Sequence, residues 1–259
     1  MKKTTLYLSI ILLALACTPS QDAMKMEISE FEKSEKTGTK EGLSELATLH
    51  KNYGLKYTDA EANNYLYAAG QYYFYENNSA EAMPLLIEYL SRDDSTDRFR
   101  NAAINLAILH GKVPAYEQVD TLISRVLDTD NPPTAAQWQD IVKLYEDKVT
   151  SAVNLKTEDY ERLTMAYTAT GRFTKAIASL DTAIKNYPEN EKRPNLIYRA
   201  GFIGWEYLND VQVAQLYYEQ FLTEYPNDPK AEEVKQILTS GMLDMSDEAI
   251  LEMLKGKGK

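Results

Sequence analysis

The side chains that could do chemistry in this chain are few, and their spacing decides against most of it. His50 and His110 are its two histidines, sixty residues apart, and neither stands beside a second ligand at helical or turn spacing. Asp93-Asp94 with Asp97, and Asp128 with Asp130, are carboxylate clusters that could attract calcium, yet neither has the spacing or the glycine of an EF-hand loop. They read as solvated turns and helix caps. There is no G-x-S-x-G elbow and no phosphate-binding glycine loop, and acids scattered along an acidic chain single out no general acid or base. Cys17 is the only cysteine, so no internal disulfide can form. A hydrolase would need a convergent polar site, and none is legible. The expectation is a noncatalytic protein with no metal and no cofactor.

The densest concentration of binding chemistry is YLYAAGQYYFYENN, residues 65 to 78, with six aromatics in its first eleven positions. Such rings can stack on bases, on sugars, or on one another. Single-stranded nucleic-acid sites combine stacking rings with a positive groove. Residues 58 to 96 hold seven acids against Arg92 alone, and the whole chain carries a formal charge of −11, so nucleic acid is excluded as a partner. Neutral glycans tolerate acidic surroundings. A glycan-binding surface of Tyr67, Phe74 and Tyr75 is therefore the alternative to simple packing.

The elements that must position these rings are helices. From about Glu41 onward nearly every segment has helical period, and no alternating strand of useful length occurs. Turn signals at Asn77-Asn78-Ser79, Asp93-Asp94-Ser95, Gly111-Lys112, Asn131-Pro132-Pro133, Gly171, Pro188-Glu189-Asn190 and Pro226-Asn227-Asp228 cut the chain at regular intervals. Regular cuts of this kind point to internal repeats. A glycine inside a helix costs about 1 kcal/mol relative to alanine, so Gly70 calls for a close backbone approach, with Leu66 and Tyr73 filling the space on either side of a helix crossing. Pro84 falls five residues into the next helix and predicts a kink or a late start there.

Residues 157 to 190, TEDYERLTMAYTATGRFTKAIASLDTAIKNYPEN, form a 34-residue unit that resembles a tetratricopeptide repeat. Tyr160, Leu163, Tyr167 and Gly171 take the first-helix and turn positions, and Ala176, Leu180, Ala183 and Pro188 those of the second helix and its end. Thr164 departs from the small residue expected at the crossing. Leu66, Ala69, Gly70, Tyr73, Asn77, Ala82 and Leu86 repeat the spacing across residues 63 to 96. A third unit runs from Asn195 to Asn227 through Tyr198, Trp205, Ala214, Tyr218, Phe221 and Pro226, after an insertion at Glu191 to Pro194. Its tail, AQLYYEQFLTEYPNDPKAEEV, is similar to repeats of envelope assembly lipoproteins and cell-division coordinators. Residues 97 to 130 fit the period with Tyr116 in place of a small residue. Residues 134 to 156, around Trp138, Ile141, Val142 and Tyr145, are helical and match no second-helix pattern. The ending SDEAILEML looks like an acidic closing helix capped by Ser246.

The resemblance implies an all-α fold of antiparallel helix pairs stacked as a right-handed, TPR-like α-solenoid over residues 41 to 254, with a basic tail at 255 to 259. It also implies a groove lined by the outward side of each first helix, where such repeats bind protein or peptide segments. The candidate groove residues are Asn64, Tyr67, Gln71, Phe74 and Tyr75, with Arg98, Asn101, Asn105, Met165 and Arg199 from later units. The paired lysines and asparagines of a carboxylate clamp are absent.

The N-terminus gives an address. Two lysines precede an uncharged run from Leu6 to Ala16, which would rise only about 16 Å as a helix, roughly half a bilayer core. It reads as a signal peptide over residues 1 to 16. Ala14-Leu15-Ala16-Cys17 resembles the lipobox of bacterial lipoproteins, with Leu13 one place earlier than the usual leucine. That resemblance implies a mature chain beginning at lipidated Cys17, then a tether with a weak helix through residue 40. Two or three acyl chains anchor stably where one does not. Thr18 stands where aspartate would retain the protein at the inner membrane, which implies the periplasmic face of the outer membrane. Residues 17 to 259 carry 26 basic and 39 acidic side chains, because the leader removes Lys2 and Lys3 and no acid. The functional expectation is a scaffold for protein–protein interaction in the envelope, in outer-membrane or wall assembly.

Overall fold

The computed structural model describes residues 19–92, 97–112, 116–128, 132–152 and 154–256. Cys17, the leader before it, Asp93, Asp94, Asp130 and the tail residues 257–259 lie outside the described residues. Every regular element described is a helix, and the chain divides into two compact units, Met1–Asp93 and Asp94–Lys259.

The N-terminal unit contains α1 (Gln21–Glu32), a single 3-10 turn (Glu35–Gly38), α2 (Lys40–Lys56), α3 (Ala60–Tyr75) and α4 (Ser79–Arg92). Its helices start where side chains can serve the open amides of the first turn. Ser20 accepts from the Ala23 amide at 3.2 Å, Thr39 from Gly42 at 3.0 Å and Asp59 from Ala62 at 2.7 Å. The weak helix expected before residue 40 thus begins at its serine cap and lies on α2 through buried Ile28. Met24, Leu46, Leu49, Tyr57 and Tyr65 gather around Ile28, Tyr53 and Ala62.

The aromatic stretch lies on α3, and its small residues explain why. Leu66, Ala69, Gly70 and Tyr73 form its buried stripe at three- and four-residue spacing. A Cβ built on Gly70 would lie 2.8 Å from Leu86 Cδ2, so α3 and α4 cross there closely enough that a larger residue would require Leu86 to shift. Gly54 does the same for α2 against Leu66, at 2.7 Å. Asn77, with φ of 56°, ends α3, and the Asn78 amide bonds back to the Tyr73 carbonyl at 2.9 Å. The late start expected at Pro84 does not occur. The helix runs from Ser79, and both Pro84 and Ala80, whose carbonyl loses its donor, are exposed to water.

The C-terminal unit runs through α5 (Asp97–Lys112), α6 (Tyr116–Leu127), α7 (Ala135–Ser151), α8 (Thr157–Ala169), α9 (Phe173–Asn186), α10 (Arg193–Phe202), α11 (Val211–Glu224), α12 (Ala231–Thr239) and α13 (Asp247–Gly256). A π-helical turn, Ile203–Tyr207, prolongs α10. Pairs α5/α6, α8/α9 and α10/α11 pack as antiparallel hairpins. In α8/α9 the stripe Tyr160, Leu163, Tyr167 meets Ala176, Leu180 and Ala183, and Thr164 is fully buried at the crossing. Gly171, at φ 71°, makes the turn between them. Ser246 caps α13 by accepting from Ala249 at 3.4 Å.

The segment with no recognisable register is α7, which packs against both α5 and α8. An ionic bolt holds it. Lys148 is 2% exposed; its ammonium donates to both Asp120 oxygens of α6 at 2.9 Å and to Asp159 of α8, itself 1% exposed. Tyr145 donates to the same Asp120 at 3.1 Å, and its burial raises the phenol's pKa well above the ordinary value.

Candidate functional site

The C-terminal unit holds a cleft of about 620 Å³ where α6, α7, α8 and α10 approach one another. Residues 158, 161, 162 and 165 of α8 follow the i, i+3, i+4, i+7 spacing of one helix face, so Glu158, Glu161, Arg162 and Met165 line one wall together. Pro132, Pro133 and Trp138, at the entry to α7, supply an apolar wall. The insertion before α10 brings Lys192 over α8, and Arg199 reaches in from α10 one helical stretch later.

The charges in the cleft are mostly engaged with one another. Lys192 donates to Glu158 at 2.8 Å and to Glu161 at 3.0 Å. Those bonds raise the lysine's pKa and lower that of Glu158. Arg162 donates to Ser124 Oγ at 2.7 Å, so the one hydroxyl among the lining side chains is bound to a cation, and no histidine lines the cleft beside it. A nucleophile–base pair is therefore not formed here. Arg199 differs from its neighbours. Half-buried, it donates to no group among the described residues; burial lowers its pKa, with Glu161 and Tyr207 opposing that shift from a distance. A guanidinium whose fork of donors is uncommitted, in a partly dry site beside 38%-exposed Met165, is suited to a carboxylate.

Of the ten groove residues expected from the sequence, Met165 and Arg199 meet in this cleft. Arg98 is exposed on α5. Asn101 accepts from Gln137 of α7 at 2.7 Å, so it fastens α5 to α7. Asn105 is a correction: at 7% exposed it is buried inside the unit and does not face an open groove.

The other five lie on α3 in the N-terminal unit. Tyr67 leans on Tyr89 of its own hairpin partner, ring centroids 5.3 Å apart. Gln71 and Phe74 are half-buried, Asn64 is exposed, and Tyr75 is 73% exposed. Phe74 and Tyr75 meet edge to face at 74° and present no shared flat surface. A cavity of about 500 Å³ in this unit opens instead beside Lys40, Ser44, Tyr72 and Glu76, and none of the five lines it.

His50 is 7% exposed, stacks on Tyr65 at 4.5 Å and faces Glu32 at 3.2 Å. His110 is in the last turn of α5, half-buried, with its pKa lowered by that burial. Among the described residues, no three His, Cys, Asp or Glu side chains are placed to hold a metal. Sequence reasoning missed Trp138, Arg162 and Lys192. The single-face spacing around Met165 was the signal that could have found Arg162, whereas the approach of Lys192 depends on how the insertion folds.

Residues 160–190 match the model of the tetratricopeptide repeat. No curated protein matches the chain. Among solved structures, a Podosopora anserina kinesin light chain with nearly identical TPR-like repeats is 12% identical, covers 80% of this chain and 96% of its own, and superposes with a TM-score of 0.31. A tetratricopeptide repeat protein from Parabacteroides merdae is 14% identical over 83% of this chain and 89% of its own, at a TM-score of 0.28. Likeness at that level bears on no functional question. The chain thus carries a tetratricopeptide repeat, and the first helix of that repeat, α8, is the polar wall of the cleft.

Proposed function

We propose that this protein is a noncatalytic, lipid-anchored scaffold of the bacterial envelope that binds an extended segment of another protein in the cleft of its C-terminal unit. Tetratricopeptide repeats serve as scaffolds for protein and peptide partners. The observation that carries the reading here is Arg199, half-buried and donating to nothing described, next to exposed Met165. A bound segment would place a carboxylate on the guanidinium and an apolar side chain against Met165 and Trp138. Arginine paired in a desolvated site and a polarisable methionine are typical binding anchors. The lipobox-like Cys17 with Thr18 after it supports a place at the periplasmic face of the outer membrane.

The test is a photo-crosslinking amino acid at Met165 of the full-length protein in its cell, with and without Arg199→Glu. A defined protein captured by the first and lost from the second, with the variant shown by circular dichroism to be folded, is the expected result. Identical capture by both removes Arg199 from recognition and takes the cleft assignment with it.

A further inference from the structure

We infer that the N-terminal unit stands end-on against the bilayer, with the last turn of α2 and the turn into α3 facing the lipid headgroups. The inference rests on the acylated Cys17 proposed above and adds where the folded body begins relative to it. Ser20 already caps α1, its Oγ accepting from the Ala23 amide. Three residue steps separate Cys17 from that cap, at most about 10 Å of extended chain. This is no more than about the width of a single helix.

The chain is also gripped as it enters α1. Lys56, the last residue of α2, donates from Nζ to the Pro19 carbonyl at 2.9 Å. The Gln21 amide donates to the Tyr53 hydroxyl at 2.8 Å and to Asp59, the cap of α3. The anchor therefore leaves the unit beside residues 55 to 60. A unit held this closely to its own acyl chains has no slack with which to swing away from them.

The chemistry of that end suits a lipid interface. Leu55 is 50% exposed beside exposed Lys56, Thr58 and Ala60. An apolar side chain next to a lysine matches the boundary between acyl chains and phosphates. Two of the nearby carboxylates are offset by a cation, Lys25 pairing with Asp59 at 3.5 Å and with Glu61, while Asp22 is exposed on the first turn of α1. Covalent attachment selects the occupant, since the headgroup layer is what the anchor necessarily brings within reach.

The test uses the full-length chain processed in a bacterial host and reconstituted in vesicles of phosphatidylethanolamine and phosphatidylglycerol. Acylated Cys17 is a thioether, so Leu55→Cys introduces the only thiol available for an NBD fluorophore. The control is Leu43→Cys, 43% exposed on the same helix and about 18 Å away along its axis. Reduction by dithionite should be about fivefold slower at position 55 than at position 43, with bluer emission, as expected for burial at an interface. Equal rates at the two positions overturn the end-on placement. So does protection of position 55 without vesicles, which would mean that protein covers the face. The mass of the N-terminal peptide from the same preparation separates the two claims: an acyl adduct without protection removes the placement alone, and no adduct removes the anchor and the placement together.

Discussion

An ammonium taken out of water is tolerated only where carboxylates surround it, and Lys148 meets that condition between Asp120 and Asp159. Removing the cation alone should be severe, because it leaves Asp159 buried without its counter-charge. Lys148→Ala is expected to lose about 3–5 kcal/mol of stability in urea unfolding, and the paired Lys148→Met, Asp159→Asn change to recover much of it. A loss below about 1 kcal/mol in the single variant would show that water reaches the site. His50 supplies a pH test. Its burial between the Tyr65 ring and Glu32 lowers the imidazole pKa from 6.5, the glutamate opposing the shift without reversing it. Between the folded value and 6.5 the unfolded chain binds more protons, so stability should fall as pH drops below 6.5. His50→Gln should flatten the melting temperature over that window, and an unchanged slope would assign the effect elsewhere. Neither role was legible in the sequence: a single lysine in an amphipathic helix looks solvated, and both burials come from partners on other helices.

At the level of the helix, the small residues were the informative ones. Gly70 marks a crossing, and the structure supplies the reason in Leu86, 2.8 Å from where a methyl group would stand. Gly70→Ala gains about 1 kcal/mol of helix propensity and meets overpacking of roughly 1–3 kcal/mol. A net loss near 1 kcal/mol in thermal unfolding is therefore expected, with a net gain showing that Leu86 moves aside freely. The helix-turn-helix unit of residues 157–190 was readable because eight positions at fixed spacing all serve one hairpin. α7 was not, because an ion pair and the Asn101–Gln137 bond hold it, rather than the small-residue crossing that the repeat pattern records.

At the level of the molecule, the formal charge of −11 repels a nucleic-acid backbone at long range, and the N-terminal pattern supplies a location to test. Cys17→Ser should move the protein from the membrane to the soluble fraction on cell fractionation; retention on the membrane would mean that another contact holds it. The cleft was only partly legible, through Met165 and Arg199, since its remaining walls come from segments brought together by folding. The Lys148 junction also bears on how such a chain can change length. Arrays of stacked repeats usually gain or lose whole units, because each touches only its neighbours. Here, excising the repeat that contains Asp159 would leave buried Lys148 with Asp120 alone, and a unit inserted after α7 preserves the junction only if it carries an acid at the position of Asp159. The seam therefore restricts which repeat can follow α7, and a homologue that changes its repeat number there must keep an acid facing the lysine or lose both charges together.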